Sequence, residues 1–403
     1  MIINKAFKFR IYPSKEQKTL LEQHFGANRF VFNYFLNERK EYYLKNKEDI
    51  EAKRVSGNLN YYDNAKALTK LKQQEEYNWL NNLNSQSLQA TLKDLETAYK
   101  HFFKKKAYFP RFKSKKHNHN SFRIPQNVKI EDNKLVIPKF KEGIKLKKHR
   151  DVNGRMVNAT ISKNVINQYY VSIIVECEVQ SLDKLQKAVG IDLGIKDFAI
   201  CSDGVIYENH KYLSKKEKQL KRQQRKLSKK AKGSQNRSKQ KLKVAKIHNT
   251  IKNQRIDKLH KISTRLIKEN QFICLEDLAV KNLVKNHKLA KSISDVSWST
   301  FTTMLEYKAK WYGREVIKID RFFPSSKTCN KCGYINQDLT LKVREWTCQE
   351  CNTKHDRDLN ASINILKQGL NKIADGTAVN SLLELPSLEG ALNQEAHKSL
   401  ACE

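Results

Sequence analysis

Long apolar runs are missing from this chain. None approaches the ~20 residues that a membrane span requires, the mean hydropathy is −0.72, and the opening Met1-Ile2-Ile3-Asn4-Lys5 lacks the apolar core of a signal peptide. A cytosolic protein is expected. Acids are scarce as well: 42 Asp and Glu stand against 78 Lys and Arg, a formal net charge of +36. Soluble domains ordinarily carry single-digit net charge. A field this strong calls for a polyanion, and the low hydropathy argues against a membrane face, which leaves nucleic acid. A disulfide pattern is absent too. Of eight cysteines, four stand in two Cys-x-x-Cys pairs, while Cys177, Cys201, Cys274 and Cys402 are scattered singly. That spacing belongs to metal binding in a reducing compartment, and the lone cysteines in apolar text behave as small buried hydrophobes.

What is present divides the 403 residues into two or three domains, each long enough to bury its own core. Lys5-Ala6-Phe7-Lys8-Phe9-Arg10-Ile11-Tyr12 alternates apolar and basic residues with the period of a half-buried strand, ended by Pro13 and Ser14. From Lys15 to Lys106 there is no proline, few glycines occur, and apolar residues take helical spacing, as at Leu88, Leu92, Leu95 and Tyr99. Strand text returns after Phe109-Pro110-Arg111-Phe112, in Lys134 to Pro138 and Tyr169 to Val175. A helical block (15–106) inserted into a small β-barrel-like domain (1–14 and 107–182) is expected.

A new unit starts near Lys187. Ala188 to Asp192 reads as a buried strand, and Phe198 to Cys201 and Val205 to Tyr207 continue it as an antiparallel meander. Next comes a stretch with 15 Lys or Arg and one acid between Lys215 and Lys246. Leu213, Leu220 and Leu227 repeat every seven residues, Gly233-Ser234 interrupts, and Val244, Ile247, Ile251, Leu259, Ile262 and Leu266 resume a stripe. Like charge alone reads as solvated chain. The apolar stripe argues for two packed helices with a basic wall toward phosphates, carrying Lys221, Arg222 and Arg225. After about Gln368 periodicity fades, so a loosely ordered tail over 371–403 is expected.

Cys329-x-x-Cys332 and Cys348-x-x-Cys351 are separated by 15 residues, within the window of a four-cysteine zinc ribbon with a closed, structural ion. The second constellation is acidic. Asp192 ends an apolar strand, Glu276 ends Phe272-Ile273-Cys274-Leu275, and Asp358 opens a helical pattern just after the ribbon. Buried strand-end acids are costly unless cations meet them, and three from distant segments can share a pair of divalent ions for phosphodiester cleavage. Oxygen donors favour Mg2+ or Mn2+. Taken singly, each acid reads equally as a cap, turn or ion-pair residue, and Asp197, Asp277 and Asp356 compete for the same roles.

The chain resembles the TnpB proteins of insertion sequences, relatives of type V CRISPR effectors. The likeness runs through Lys8 to Pro13, Asn28 to Asn33, Phe109 to Phe112, Gly190 to Asp197, Leu275 to Leu278, Ser292 to Asp295, Pro324 to Cys329, Arg344 to Cys348 and His355 to Ala361. It implies an α+β multidomain chain ending in a ribonuclease-H-like (RuvC) α/β domain (183–324 and 353–370) with a zinc-ribbon insertion (325–352). It also implies the catalytic trio Asp192, Glu276 and Asp358, with Asp356 secondary. A guide RNA from the transposon end would pair with double-stranded target DNA while the protein reads a short flanking motif, and the protein would work at the nucleoid. Tyr61 and Gln89 fall where similar proteins touch that motif. Ser362 departs from an alanine frequent in the family, a change a helix accepts. The competing functions are an RNA-loaded DNA-binding regulator that does not cut, and a transposase acting directly on transposon ends.

Overall fold

The computed structural model describes residues 1–52, 54, 59–117, 120–340 and 342–375, and the chain divides into two compact units, one from Ile2 to Glu178 and the other from Val179 onward with Met1. The first opens with β1 (Ile2–Tyr12), whose alternation buries Phe7, Phe9 and Ile11 on one face. Ser14 then caps α1 (Lys15–Lys45) in a reciprocal box with Gln17. Short α2 (Lys47–Glu51), α3 (Tyr61–Leu71) capped by Asn60, a 3-10 turn (Glu75–Asn82) and α4 (Ser85–Phe103) capped by Asn84 follow. Leu88, Leu92, Leu95 and Tyr99 of α4 bury with Val31, Phe32, Phe35 and Leu36 of α1 in one core, as the helical spacing predicts.

The remaining strands of this unit are β2 (Ser121–Ile124), β3 (Lys129–Glu131), β4 (Lys134–Ile137), β5 (Phe140–Lys147), β6 (Arg155–Lys163) and β7 (Tyr169–Glu178). They join β1 in an antiparallel seven-stranded sheet of order β2-β6-β7-β1-β5-β4-β3. Phe9 pairs with Val171 and Phe7 with Ile173, so both strands turn the same apolar face to the core. Among the described residues β2 and β3 stand at opposite edges. The hydrogen-bonded ladder of this barrel-like domain is therefore open between those edges.

The second unit holds a five-stranded sheet of order β10-β9-β8-β11-β12, built from β8 (Ala188–Asp192), β9 (Asp197–Cys201), β10 (Ile206–Glu208), β11 (Phe272–Glu276) and β12 (Glu315–Ile319). The β8-β9-β10 meander is antiparallel, whereas β11 runs parallel to both β8 and β12. Between them lie α5 (Tyr212–Ser228), α6 (Gln235–Glu269), α7 (Val280–Leu283), α8 (Ala290–Val296) and α9 (Trp298–Tyr312). Then come a hairpin of β13 (Glu345–Thr347) and β14 (Lys354–Asp356), and α10 (Arg357–Ala374). Both faces of the sheet are covered, which is why its strands read as continuous apolar runs. Val189, Ile191, Ile273 and Leu275 pack with α6 and α9, while Ala188, Phe272 and Cys274 pack with α10. This is a ribonuclease-H-like α/β arrangement. Two expected boundaries shift. The ribbon hairpin runs on to Asp356, and α10 continues to Ala374 because Leu370 and Ile373 still reach the apolar cluster beneath it. The rest of the expected tail, 376–403, lies outside the described residues.

Candidate active site and metal centre

Parallel pairing decides where the acids emerge. Ile191 of β8 stands opposite Leu275 of β11, so Asp192 and Glu276, the next residues, leave the sheet side by side at its carboxyl end. Crevices outside the carboxyl ends of parallel strands are where open α/β sheets bind ligands. Asp358 arrives from the other direction, as the second residue of α10. Asp356 caps that helix, accepting from the N–H groups of Asp358 (3.0 Å) and Leu359 (2.8 Å), so Asp358 has no capping duty. The helix comes close because residue 190 is glycine: a Cβ there would stand 2.1 Å from the Ser362 carbonyl oxygen and 2.6 Å from the Leu366 nitrogen.

Asp192 feels the other two carboxylates. Burial, reinforced by the charges of Glu276 and Asp358, pushes Asp192 up to about 7 against the pull of Arg357 and Arg344. The three acids are not drawn into a tight ligand set, however. Among the described residues only the four cysteines bring all their ligand atoms within 4.8 Å of one another. Two acids are instead held by protein donors. Ser325 Oγ donates to Glu276 Oε1 at 2.6 Å, and Arg344 Nη1 donates to both oxygens of Asp358 at 3.0 and 2.7 Å. The rival acids have other occupations: Asp277 is ion-paired with Arg321, Asp197 lies 4.0 Å from Lys196 Nζ, and Asp356 is the cap. Beside Glu276 opens a cleft of about 480 Å3, lined among others by Asp277, Trp298, Thr302, Lys318 and Arg321.

The cysteines form two knuckles of one design. The Cys329 N–H donates to the Tyr334 carbonyl and the Gly333 N–H to the Cys329 carbonyl (2.8 and 3.0 Å). In the second, the Cys348 N–H donates to the Thr353 carbonyl and the Asn352 N–H to the Cys348 carbonyl (2.9 and 3.0 Å). Each turn ends on a left-handed residue, Gly333 at φ 83° and Asn352 at φ 53°, the two residue types that adopt it most readily. The thiols of Cys329 and Cys351 lie 3.6 Å apart, as do those of Cys332 and Cys348. Four soft donors in mutual reach suit a tetrahedral zinc ion. Behind them, His355 Nε2 is 3.1 Å from Cys329 Sγ, with its ring packed on Trp346. Helix α10 grips the first knuckle. Asn360 and Asn364 donate to the Thr328 carbonyl (2.8 and 2.6 Å), and Asn360 Oδ1 accepts from the Asn330 N–H (3.0 Å).

Family models match along the chain: "Helix-turn-helix domain" over residues 1–48, "Probable transposase" over 172–287, and "Cas12f1-like, TNB domain" over 298–365. A relative from Streptomyces pristinaespiralis, named "Putative RNA-guided DNA endonuclease", is 40% identical over 380 residues, covering 94% of this chain and 92% of that protein. InsQ of Escherichia coli K12, under the same description, is 35% identical over 395 residues, with 94% and 95% covered. The chain belongs to the TnpB family. Its fold is shared with a chain in the cryo-EM structure of the Cas12f1–sgRNA–target DNA complex, at a TM-score of 0.50 and 14% identity over 90% of this chain and 98% of that one. The match over 1–48 carries a helix-turn-helix name, yet in this TnpB-family chain that stretch is β1 followed by the single 31-residue helix α1.

The residues expected to touch nucleic acid lie in two places. Lys221, Arg222 and Arg225 are exposed on α5, where with Lys218, Lys226 and Lys229 they line a wholly basic groove of about 300 Å3. Tyr61 opens α3, and Lys93 Nζ sits 5.3 Å above its ring. Gln89, exposed on α4, is one turn before Lys93, so the fold puts these two candidates near one lysine. Of the single cysteines, Cys201 and Cys274 are buried, Cys177 is half-buried, and Cys402 lies outside the described residues. Reasoning on the sequence missed Ser325, Arg344 as the partner of Asp358, Asn360 and Asn364. The motifs Pro324 to Cys329, Arg344 to Cys348 and His355 to Ala361 contain three of the four, but nothing in their spacing says what they bond.

Proposed function

We propose that this protein is a transposon-encoded, RNA-guided DNA endonuclease that cuts double-stranded target DNA beside a short flanking motif. Asp192, Glu276 and Asp358 are its catalytic carboxylates, and its guide is an RNA from the transposon end. On this reading 15–106 is a recognition block within a wedge-like β domain, 325–352 is the core of the zinc ribbon, and the protein works in the prokaryotic cytosol at the nucleoid. The names of the full-length relatives support it. The observation that carries it is the convergence of two strand-end acids and a helix-start acid, with burial first and the charges of Glu276 and Asp358 next raising the Asp192 carboxyl to about 7. A carboxyl raised by burial and like charge is one that cations relieve.

Oxygen-only donors suit Mg2+ or Mn2+, and such ions, when bound, supply Lewis-acid stabilisation of the phosphate and an acidified water. The chain's own contribution is placement. Ser325 orients Glu276, and the Asp356 cap fixes the first turn of α10. Arg344 neutralises Asp358 through Nη1, and its guanidinium is a group that suits phosphate as well as carboxylate. The four cysteines would hold a structural zinc beside the same helix.

The deciding experiment supplies RNA copurified with the protein, Mg2+ and a DNA duplex matching that RNA. The parent is expected to cleave, and the Asp192→Ala protein to bind the duplex without cutting it. Binding without cutting by the parent would favour a regulator. Excision and joining of transposon ends by RNA-free protein would establish a transposase.

A further inference from the structure

Between α4 and β2 the first unit carries a segment that neither the acids nor the zinc ribbon explain. From His101 to His117 the sequence holds seven Lys or Arg and no acid, interleaved with Phe102, Phe103, Tyr108, Phe109 and Phe112. Tyr108 is 90% exposed, Phe103 62% and Phe112 49%. Single exposed apolar residues are ordinary, whereas a group of rings within ten residues is not.

The segment is built rather than frayed. Asn33 of α1 clamps it at both backbone groups of Lys113, accepting from its N–H at 2.7 Å and donating to its carbonyl at 2.9 Å. Phe109, 40% exposed, is held edge-on to Tyr99 (5.6 Å) and Phe102 (5.3 Å), and Lys113 Nζ lies 3.8 Å from the centre of the Phe32 ring. At the helix end the N–H groups of Lys106 and Ala107 both donate to the His101 carbonyl, through a left-handed Lys105 at φ 55°. Tyr108 and Phe112, on either side of Phe109 and Arg111, remain exposed, and Lys40 Nζ lies 5.4 Å from the centre of the Phe112 ring.

We propose that Phe103, Tyr108 and Phe112 form a stacking platform for unpaired nucleotides, with Lys104, Lys105, Lys106, Arg111, Lys115 and Lys116 neutralising the phosphates between them. Ring faces accept any base, and lysines follow a backbone without reading it, the combination that suits single strands irrespective of sequence. Bases inside a duplex are already stacked and offer the rings no face. Unpaired RNA and a displaced DNA strand share this chemistry.

The test uses the full zinc-bound chain with no Mg2+ or Mn2+ added and no chelator, so that a failure of the nuclease reading leaves it unaffected. Affinity is measured for a short oligothymidylate, its ribonucleotide counterpart and an abasic strand of equal length. The parent is expected to favour base-bearing strands over the abasic one by on the order of tenfold or more. Tyr108→Ala with Phe112→Ala is expected to abolish that preference while leaving abasic affinity unchanged. Replacing Lys104, Lys105 and Lys106 by Gln is expected to lower all three affinities together. A 5-iodouracil photoadduct is expected on Tyr108 or Phe112, and the stronger of the ribo and deoxy probes identifies the source. A double variant that keeps the parent's preference, or adducts that fall only elsewhere, would overturn the platform.

Discussion

His24 sits where a charge is unwelcome. Its ring is buried against Phe122 and Phe140, with Nδ1 donating to the Leu20 carbonyl (2.8 Å) and Nε2 accepting from the Asn84 N–H (3.3 Å). Burial, with Lys139 adding to it, lowers its pKa below the ordinary 6.5, although the bond to Leu20 works the other way. The unfolded chain therefore takes up a proton that the folded ring refuses. Stability is complete above the ordinary imidazole range and falls as pH drops through it. Thermal unfolding followed from about pH 8 to about pH 5 is expected to show that loss in the parent. His24→Gln is expected to be less stable at the upper end but flatter across the range; parallel profiles would assign the slope elsewhere. Nothing in the sequence pointed to this histidine, because apart from Leu20, one turn before it, its neighbours Asn84, Phe122 and Phe140 come from distant segments of the chain. The positions of the three acids at the ends or starts of apolar elements were legible by contrast, and the family resemblance singled them out from Asp197, Asp277 and Asp356. The donors that hold two of the three, Ser325 and Arg344, come from loops without periodicity.

Helix α10 lies flat on β8 and β11 only because glycines stand at the contacts. At Gly190 the obstacles to a Cβ are the Ser362 carbonyl and the Leu366 nitrogen, which are backbone and cannot rotate away, and at Gly369 the obstacle is Cys274. Gly190→Ala is expected to cost at least the ~1–3 kcal/mol typical of overpacking, measured by denaturant unfolding, and to reduce cleavage by lifting Asp358. Full stability in that variant would mean the helix is free to slide. The same helix is tied to the first knuckle through Asn360 and Asn364. Stripping zinc with a chelator is therefore expected to speed amide exchange over Cys329 to Cys351 and the first turns of α10, while β8 and β11 stay protected. Uniform protection would uncouple ribbon from helix. The elements themselves were readable from period and caps. What was not readable was the open edge of the seven-stranded sheet, the extension of the ribbon hairpin to Asp356, and the end of α10 at Ala374. Each of these is settled by which neighbour a residue finds.

Over the whole molecule the excess of 36 positive charges sets how binding responds to salt. Each phosphate neutralised releases counterions, so log affinity falls with log salt at a slope of roughly −0.9 per contact on duplex and −0.7 on single strands. Neutralising Lys221, Arg222 and Arg225 together, as Gln, is expected to flatten that slope by about 2 to 3 on duplex, read by titration at several salt concentrations. An unchanged slope would place the phosphates away from the α5 groove. Among the described residues no helix is long and apolar enough to cross a membrane, in keeping with the low hydropathy.

By itself the sequence determined the chemistry this protein carries. Cationic excess, paired cysteines at ribbon spacing and acids at the ends of apolar runs are local properties of residue type and interval, and folding does not alter them. Tertiary structure alone decided which of those groups meet. The parallel register of β8 and β11 sets Asp192 beside Glu276. Close approach at Gly190 brings α10 and Asp358 to them, and Asp356 rather than Asp358 takes the cap. Those outcomes depend on contacts between segments far apart in the chain, and pairing and close packing are fixed only when the whole sheet and its helices assemble.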